Sequence, residues 1–181
     1  MKRISLTLCL AFLTVLFCQA QVAPLKFNKN GEFKIVQFTD IHFQYHNPAS
    51  AIALKRINEV LDAERPDLIV FTGDVVYAPP ADTAMRAVLD CASSRKIPFV
   101  VTFGNHDNEQ GKTRAELYDI IRSMPYNIQP DRGSVESPDY VLTVKSSDGK
   151  KDASVLYCLD SHSYSKLPDV NCLLYTSDAA D

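Results

Sequence analysis

What this chain lacks narrows its reading first. It has no basic run long enough to track a phosphate backbone, and its formal net charge is −3. That excludes non-specific nucleic-acid binding. It does not argue against a small anionic ligand, because a bound cation can supply positive charge locally. No CxxC pair occurs among the five cysteines, which excludes a thiolate zinc signature. No apolar stretch reaches the ~20 residues that a membrane-spanning helix needs. No repeat or low-complexity segment interrupts the chain. Apolar residues make up 46% and charged residues 23% of 181, the balance of one folded domain rather than a disordered chain.

The N-terminus carries a targeting pattern. Met1-Lys2-Arg3 is a short basic region, Ile4 to Cys18 is apolar, and Cys18-Gln19-Ala20 offers small residues before a cut. Residues 1–20 therefore read as a secretory signal peptide cleaved after Ala20, with the protein exported to a periplasmic or extracellular space and no stable membrane span left behind. A lipid on Cys18 is disfavoured by the bulky Phe17 before it. Losing Lys2 and Arg3 takes the net charge from −3 to −5. Cys91, Cys158 and Cys172 remain. Cys91 falls in a helical pattern and Cys158 in a strand pattern, so buried thiols are expected.

Hydrophobic periodicity sets out the rest. Phe33 to Phe38 reads as a strand. Ser50 to Glu64 carries Ala53, Ile57, Val60 and Leu61 at helical spacing, and Pro66 stops it. Leu68 to Thr72 is a continuous apolar run, as in a strand buried on both faces. Asp82 is expected to cap a helix whose Met85, Val88 and Leu89 share a face. Phe99 to Thr102 is a third buried strand. Thr113 and Glu116 form a capping box before a helix carrying Leu117, Ile120, Ile121 and Met124. Tyr140 to Lys145 and Ser154 to Tyr157 then read as a hairpin, with Asp148-Gly149 as a turn signal. The order predicts an α/β sandwich with helices on the sheet faces.

Three polar clusters follow the three buried strands: Thr39-Asp40-Ile41-His42, Thr72-Gly73-Asp74 and Gly104-Asn105-His106-Asp107. Ligands in open α/β sheets bind beyond the carboxyl ends of strands, so these clusters should converge on one rim. Carboxylate, imidazole and amide donors without thiolate suit divalent metals and iron. The alternation of a strand end should put Asp40 and His42 on one side, where they could chelate one ion. Asp74 has two oxygens and could bridge two ions, with Asn105 on the second. Two ions ~3.5–4 Å apart can clamp a phosphoryl group and activate water. Gly73 and Gly104 would let the backbone turn tightly and leave room for a ligand.

In order, in their preceding apolar strands and in spacing, these three clusters resemble the first motif blocks of the calcineurin-like metallophosphoesterases. The resemblance covers about residues 33 to 165. Arg65-Pro66-Asp67-Leu68-Ile69-Val70-Phe71 and Leu156-Tyr157-Cys158-Leu159-Asp160-Ser161 look most like its purple acid phosphatase-like branch. It implies a β-sandwich flanked by helices in four layers (αββα), of which residues 21–170 would be the N-terminal part. It implies hydrolysis of a small phosphate ester by water activated by two divalent or mixed-valence ions of iron, manganese or zinc. Asp40 and His42 would hold the first ion, Asp74 would bridge, and Asn105 would hold the second. His106 would stand beside the phosphate as the catalytic group, with Asp107 orienting a neighbour.

Three residues and one segment depart from this pattern or stand outside it. Tyr77 follows Asp74 by three residues, where purple acid phosphatases place an iron-binding tyrosinate. Those proteins lack the histidine that His42 provides, so Tyr77 is expected not to be a ligand. His46 reads as surface or rim. His162 is the one histidine after His106 and lacks the context of the family's later metal-binding blocks. Residues 171–181 are unrelated to the family and read as a sequencing or gene-model artefact, so the chain is expected to be a fragment. The alternative function is a secreted metal- or anion-binding module without catalysis.

Overall fold

The computed structural model describes residues 22–163. The expected signal peptide, Cys172 and the tail at 171–181 lie outside them. Three strands, β1 (Ile35–Phe38), β2 (Leu68–Thr72) and β3 (Phe99–Thr102), form a parallel sheet in the order β1-β2-β3. Phe38 pairs with Phe71 and Thr72 with Thr102, so the carboxyl ends finish almost level. Helices α1 (Ala51–Glu64) and α2 (Ala81–Ser93) connect the strands, and α3 (Arg114–Arg122) follows β3.

All three helices pack on one face of the sheet, as a sandwich flanked by helices requires. Two consecutive right-handed crossovers between neighbouring strands must place both connecting helices on the same side. Period-two alternation explains the continuous apolar runs of β2 and β3. Ile69, Phe71, Phe99 and Val101 meet Ile57, Leu61, Met85, Val88, Leu117 and Ile121 of the helices. Leu68, Val70 and Val100 face the other way, onto Tyr140, Leu142, Leu156 and Cys158. These last four belong to the antiparallel hairpin of β4 (Tyr140–Lys145) and β5 (Asp152–Cys158). The described residues thus form three layers: helices, parallel sheet and hairpin.

Local signals account for the element ends. Thr113 and Glu116 make the full capping box that starts α3. Gly149 turns the hairpin at φ +76, its N–H bonded to Ser146 O at 2.7 Å. Helix α2 differs from expectation. Its cap is Pro80 and makes no side-chain hydrogen bond, while Asp82 lies inside the first turn. There the carboxylate still meets the positive end of the helix dipole. Cys91 and Cys158 are buried free thiols, as their patterns implied. No helix among the described residues is long and apolar enough to cross a membrane.

Candidate metal centre

The three polar clusters do meet at the carboxyl rim of the parallel sheet. Beyond the strand ends the loops continue side by side: His42 N–H donates to Asp74 O at 2.8 Å and Phe43 N–H to Val75 O at 2.9 Å. Ile41, Phe43, Val75 and Val76 anchor these loops in the helix-side core. The loops leave their strands abruptly. Asp40, His42 and Asp74 have φ of +53, +48 and +48, following Gly73 in the case of Asp74 at φ +97. Aspartate and histidine are among the side chains that tolerate this left-handed region. Strand alternation therefore does not set Asp40 and His42, since β1 has ended at Phe38.

Asp74 sits at the centre. Its Oδ1 accepts the His106 N–H at 2.9 Å. Its Oδ2 lies 3.4 Å from His42 Nε2. Gly104 makes this possible: a Cβ there would stand 2.1 Å from Asp74 Oδ1 and 2.5 Å from Asp74 N. The space that Gly104 leaves thus holds the Asp74 carboxylate, not a ligand as expected. Gly73 is equally constrained, because its Cβ would meet Gly104 N at 2.6 Å.

Donor atoms of His42, Asp74 and His106 lie within 4.8 Å of one another, close enough to share one ion. His42 Nε2 is buried and has no hydrogen-bond partner. A buried, unpaired imidazole nitrogen facing a carboxylate is the arrangement a cation would satisfy, so the donor set fits a metal. Asp40 does not join this trio. It is exposed, and its carboxylate accepts the Thr39 hydroxyl at 2.5 Å. Asn105 is buried beside His106. His46 is exposed and packs edge-on to Tyr45. His162 is exposed on the loop after β5.

Around the trio stand residues of other kinds. The Tyr77 ring meets His42 at 5.0 Å and His106 at 5.1 Å, edge-on in both cases. Glu109 Oε2 is 2.7 Å from His106 Nδ1. That carboxylate raises the His106 imidazole above its ordinary value; burial opposes the rise, and the charge of Asp74 adds to it. Asp107 is fully buried. Its Oδ1 accepts from Val75 N at 2.8 Å and Val76 N at 3.1 Å, and its Oδ2 from Asp74 N at 3.0 Å and Gly104 N at 2.9 Å. Burial pushes its carboxyl upward, against the pull of these N–H groups. With both oxygens engaged by backbone, it orients the loops and has nothing left to offer a ligand.

The sequence reading missed three contributors. Glu109 could have been noticed, because it follows His106 by three residues. Arg114 and Asp160 could not. Their buried ion pair joins the start of α3 to the loop after β5, and Arg114 Nη1 also donates to Gly104 O at 3.0 Å. Nothing in the local sequence of either predicts the other across 46 positions.

The chain belongs to the calcineurin-like phosphoesterase family, which it matches over residues 33–173. It is 34% identical over 177 residues to probable inactive purple acid phosphatase 29 of Arabidopsis thaliana, covering 82% of this chain and 45% of that protein. It is 30% identical over 159 residues to phosphatase DCR2 of Saccharomyces cerevisiae, covering 75% of this chain and 28% of that protein. A shorter match, 31% over 85 residues, joins it to UDP-2,3-diacylglucosamine pyrophosphatase LpxG of Chlamydia trachomatis, covering 46% of this chain and 25% of that protein. The chain spans less than half the length of each of these relatives. At the level of the family, the chemistry is phosphoric ester hydrolysis with divalent metals.

Proposed function

We propose that this protein is an exported phosphoesterase that hydrolyses small phosphate esters with two metal ions held at the carboxyl rim of its parallel sheet. The observation that carries the reading is the unpaired His42 Nε2 buried against Asp74 Oδ2. His42, Asp74 and Asn105 would hold the ions, and Asp40 would give up its contact with Thr39 to join them. Bound there, iron, manganese or zinc ions would offset phosphoryl charge and lower the pKa of water. The protein's own part is orientation and proton handling. Asp74 is held in place by the His106 N–H, and Asp107 fixes the backbone of Asp74 and of Gly104, in the loop that carries His106. His106, although within reach of the same ion as His42 and Asp74, would leave the metal to them and to Asn105, face the phosphate and protonate the leaving oxygen or stabilise its charge. Tyr77, edge-on to both histidines, forms a wall of the site and is not assigned to the metal.

A second reading is a metal- or anion-binding module without catalysis. Two observations favour it: one relative is named as probably inactive, and Asp40 lies outside the donor trio. Metal content and phosphatase activity of residues 21–181 and of a version extended through the genomic reading frame, each beside its Asp74→Ala variant, separate the two. Metal uptake with turnover in the extended version, both abolished by Asp74→Ala, is the result expected. Metal uptake without turnover would favour the binding module. No metal uptake at all would sink both metal readings.

A further inference from the structure

Three consecutive side chains follow His106, and each has a different task. Asp107 turns inward to the four backbone N–H groups described above. Asn108 Oδ1 accepts from Arg114 Nη1 at 3.2 Å. Glu109 turns back over the histidine, its Oε2 2.7 Å from Nδ1. The local backbone dictates this last contact. Asp107–Glu109 is a single turn of 3-10 helix, closed by the Glu109 N–H on His106 O at 3.1 Å. In such a turn the side chains at i and i+3 stack over one another. Asp107 and Asn108 pin the turn from inside, so Glu109 is presented to His106 by a held backbone rather than by a wandering loop.

A hydrogen bond at one imidazole nitrogen decides what the other can do. Glu109 is an acceptor, so in the neutral ring Nδ1 carries the hydrogen and Nε2 keeps its lone pair. The Tyr77 and His42 rings flank the imidazole at 5.1 and 5.7 Å and limit its rotation. We propose that Glu109 is a positioning residue for His106: it takes the Nδ1 hydrogen, fixes ring and tautomer, and reserves Nε2 for the phosphate. The role at the phosphate rests on the phosphoesterase reading; the tautomer does not. The alternative is an ordinary surface pair. Glu109 and His106 side chains are 45% and 28% exposed, and such pairs contribute little to folding, so stability cannot tell the two apart.

The test is imidazole nitrogen NMR on the full chain, comparing wild type with Glu109→Ala and Glu109→Gln at a pH where the ring is neutral. Hydrolysis of an alkyl and an aryl phosphate by the manganese-loaded proteins runs beside it. We expect His106 protonated on Nδ1 in wild type and in Glu109→Gln, whose amide oxygen can still accept. Glu109→Ala should move the hydrogen to Nε2. Alkyl phosphate turnover in Glu109→Ala should fall roughly 10–100-fold with KM little changed, as for other residues that orient a histidine from behind. The aryl ester should suffer less, because its leaving group needs less protonation, and Glu109→Gln should recover most of the loss. One tautomer common to wild type and Glu109→Ala would overturn the proposal. So would a tautomer shift without loss of alkyl ester turnover. Should loaded wild type hydrolyse neither ester, the phosphoesterase reading fails, and the tautomer comparison alone still decides whether Glu109 positions His106.

Discussion

The Asp107 carboxylate accepts the backbone N–H of Asp74 at 3.0 Å, across 33 positions of sequence. Through the same side chain it also holds Val75, Val76 and Gly104. One buried acid therefore sets the spacing of the two loops that meet at the candidate centre.

Replacing that acid tests the relationship. In Asp107→Asn one carboxylate oxygen becomes an NH2 group, which confronts backbone N–H donors instead of accepting from them. Each buried donor left without an acceptor costs about 1–3 kcal/mol. Asp107→Asn should therefore lower the urea midpoint markedly and abolish metal uptake. A variant with wild-type stability would show that the backbone, not Asp107, sets the loop spacing.

His42 should behave in the opposite sense. Its Nε2 makes no hydrogen bond, so a chain stripped of metal loses little through His42→Gln at this atom. The difference should emerge on loading. A ligand at a hundred times its Kd stabilises the native state by about 2.7 kcal/mol. Thermal unfolding of wild type should then shift upward with manganese or zinc and fall back on chelation. His42→Gln should show a much smaller shift. Equal shifts in both proteins would remove His42 from the ion's neighbourhood.

Much of the fold was legible because it follows from local rules. The apolar runs at Leu68–Thr72 and Phe99–Thr102 have the pattern of strands buried on both faces, and Thr113 with Glu116 named the start of α3 outright. The convergence of Asp74, His42 and His106 followed from their places after parallel strands. What was not legible depends on backbone detail or on layers meeting. The left-handed turns at Asp40 and His42 replace the extended geometry that alternation assumed, and Asp40 lies outside the donor trio as a result. Asp82 looked like a cap because aspartate often is one, but the helix had already begun at Ala81. Asp107 was expected to orient a neighbour; which groups it holds, backbone N–H of two loops, was not legible.

Glu116 gives a pH dependence whose sign is fixed. The Thr113 backbone N–H bonded to its carboxylate lowers it below the ordinary glutamate value, with Lys112 and the Thr113 hydroxyl acting the same way. A depressed folded-state value means that the charged form contributes stability above the unfolded value, lost as pH falls through the folded one. Glu116→Gln keeps a capping acceptor but no charge. Wild type should exceed it in melting temperature at neutral pH, and the gap should close in acid. A gap that stays constant from neutral to acid would mean that the carboxylate charge plays no part in starting α3.

The Arg114–Asp160 pair gives the last prediction, because it joins layers that no other ion pair in the described residues links. The two side chains are 6% and 2% exposed. Arg114 is further used by Gly104 O and Asn108 Oδ1 and lies 5.1 Å over the Phe103 ring. Asp160 Oδ1 also accepts the His162 N–H at 2.8 Å. Removing one member of a buried pair strands the other's charge, at a cost of about 3–5 kcal/mol. Asp160→Ala should therefore destabilise strongly. The Arg114→Met, Asp160→Leu double variant should recover much of that loss by burying apolar groups instead. The site should respond differently from the fold. Gly104 and Asn108 lose their guanidinium in the double variant, so metal uptake should weaken even where stability returns. Measured in parallel, unfolding midpoints and metal affinity would separate these roles. Recovery of both in the double variant would show that the pair only packs the hairpin and has no part in holding the loop that carries His106.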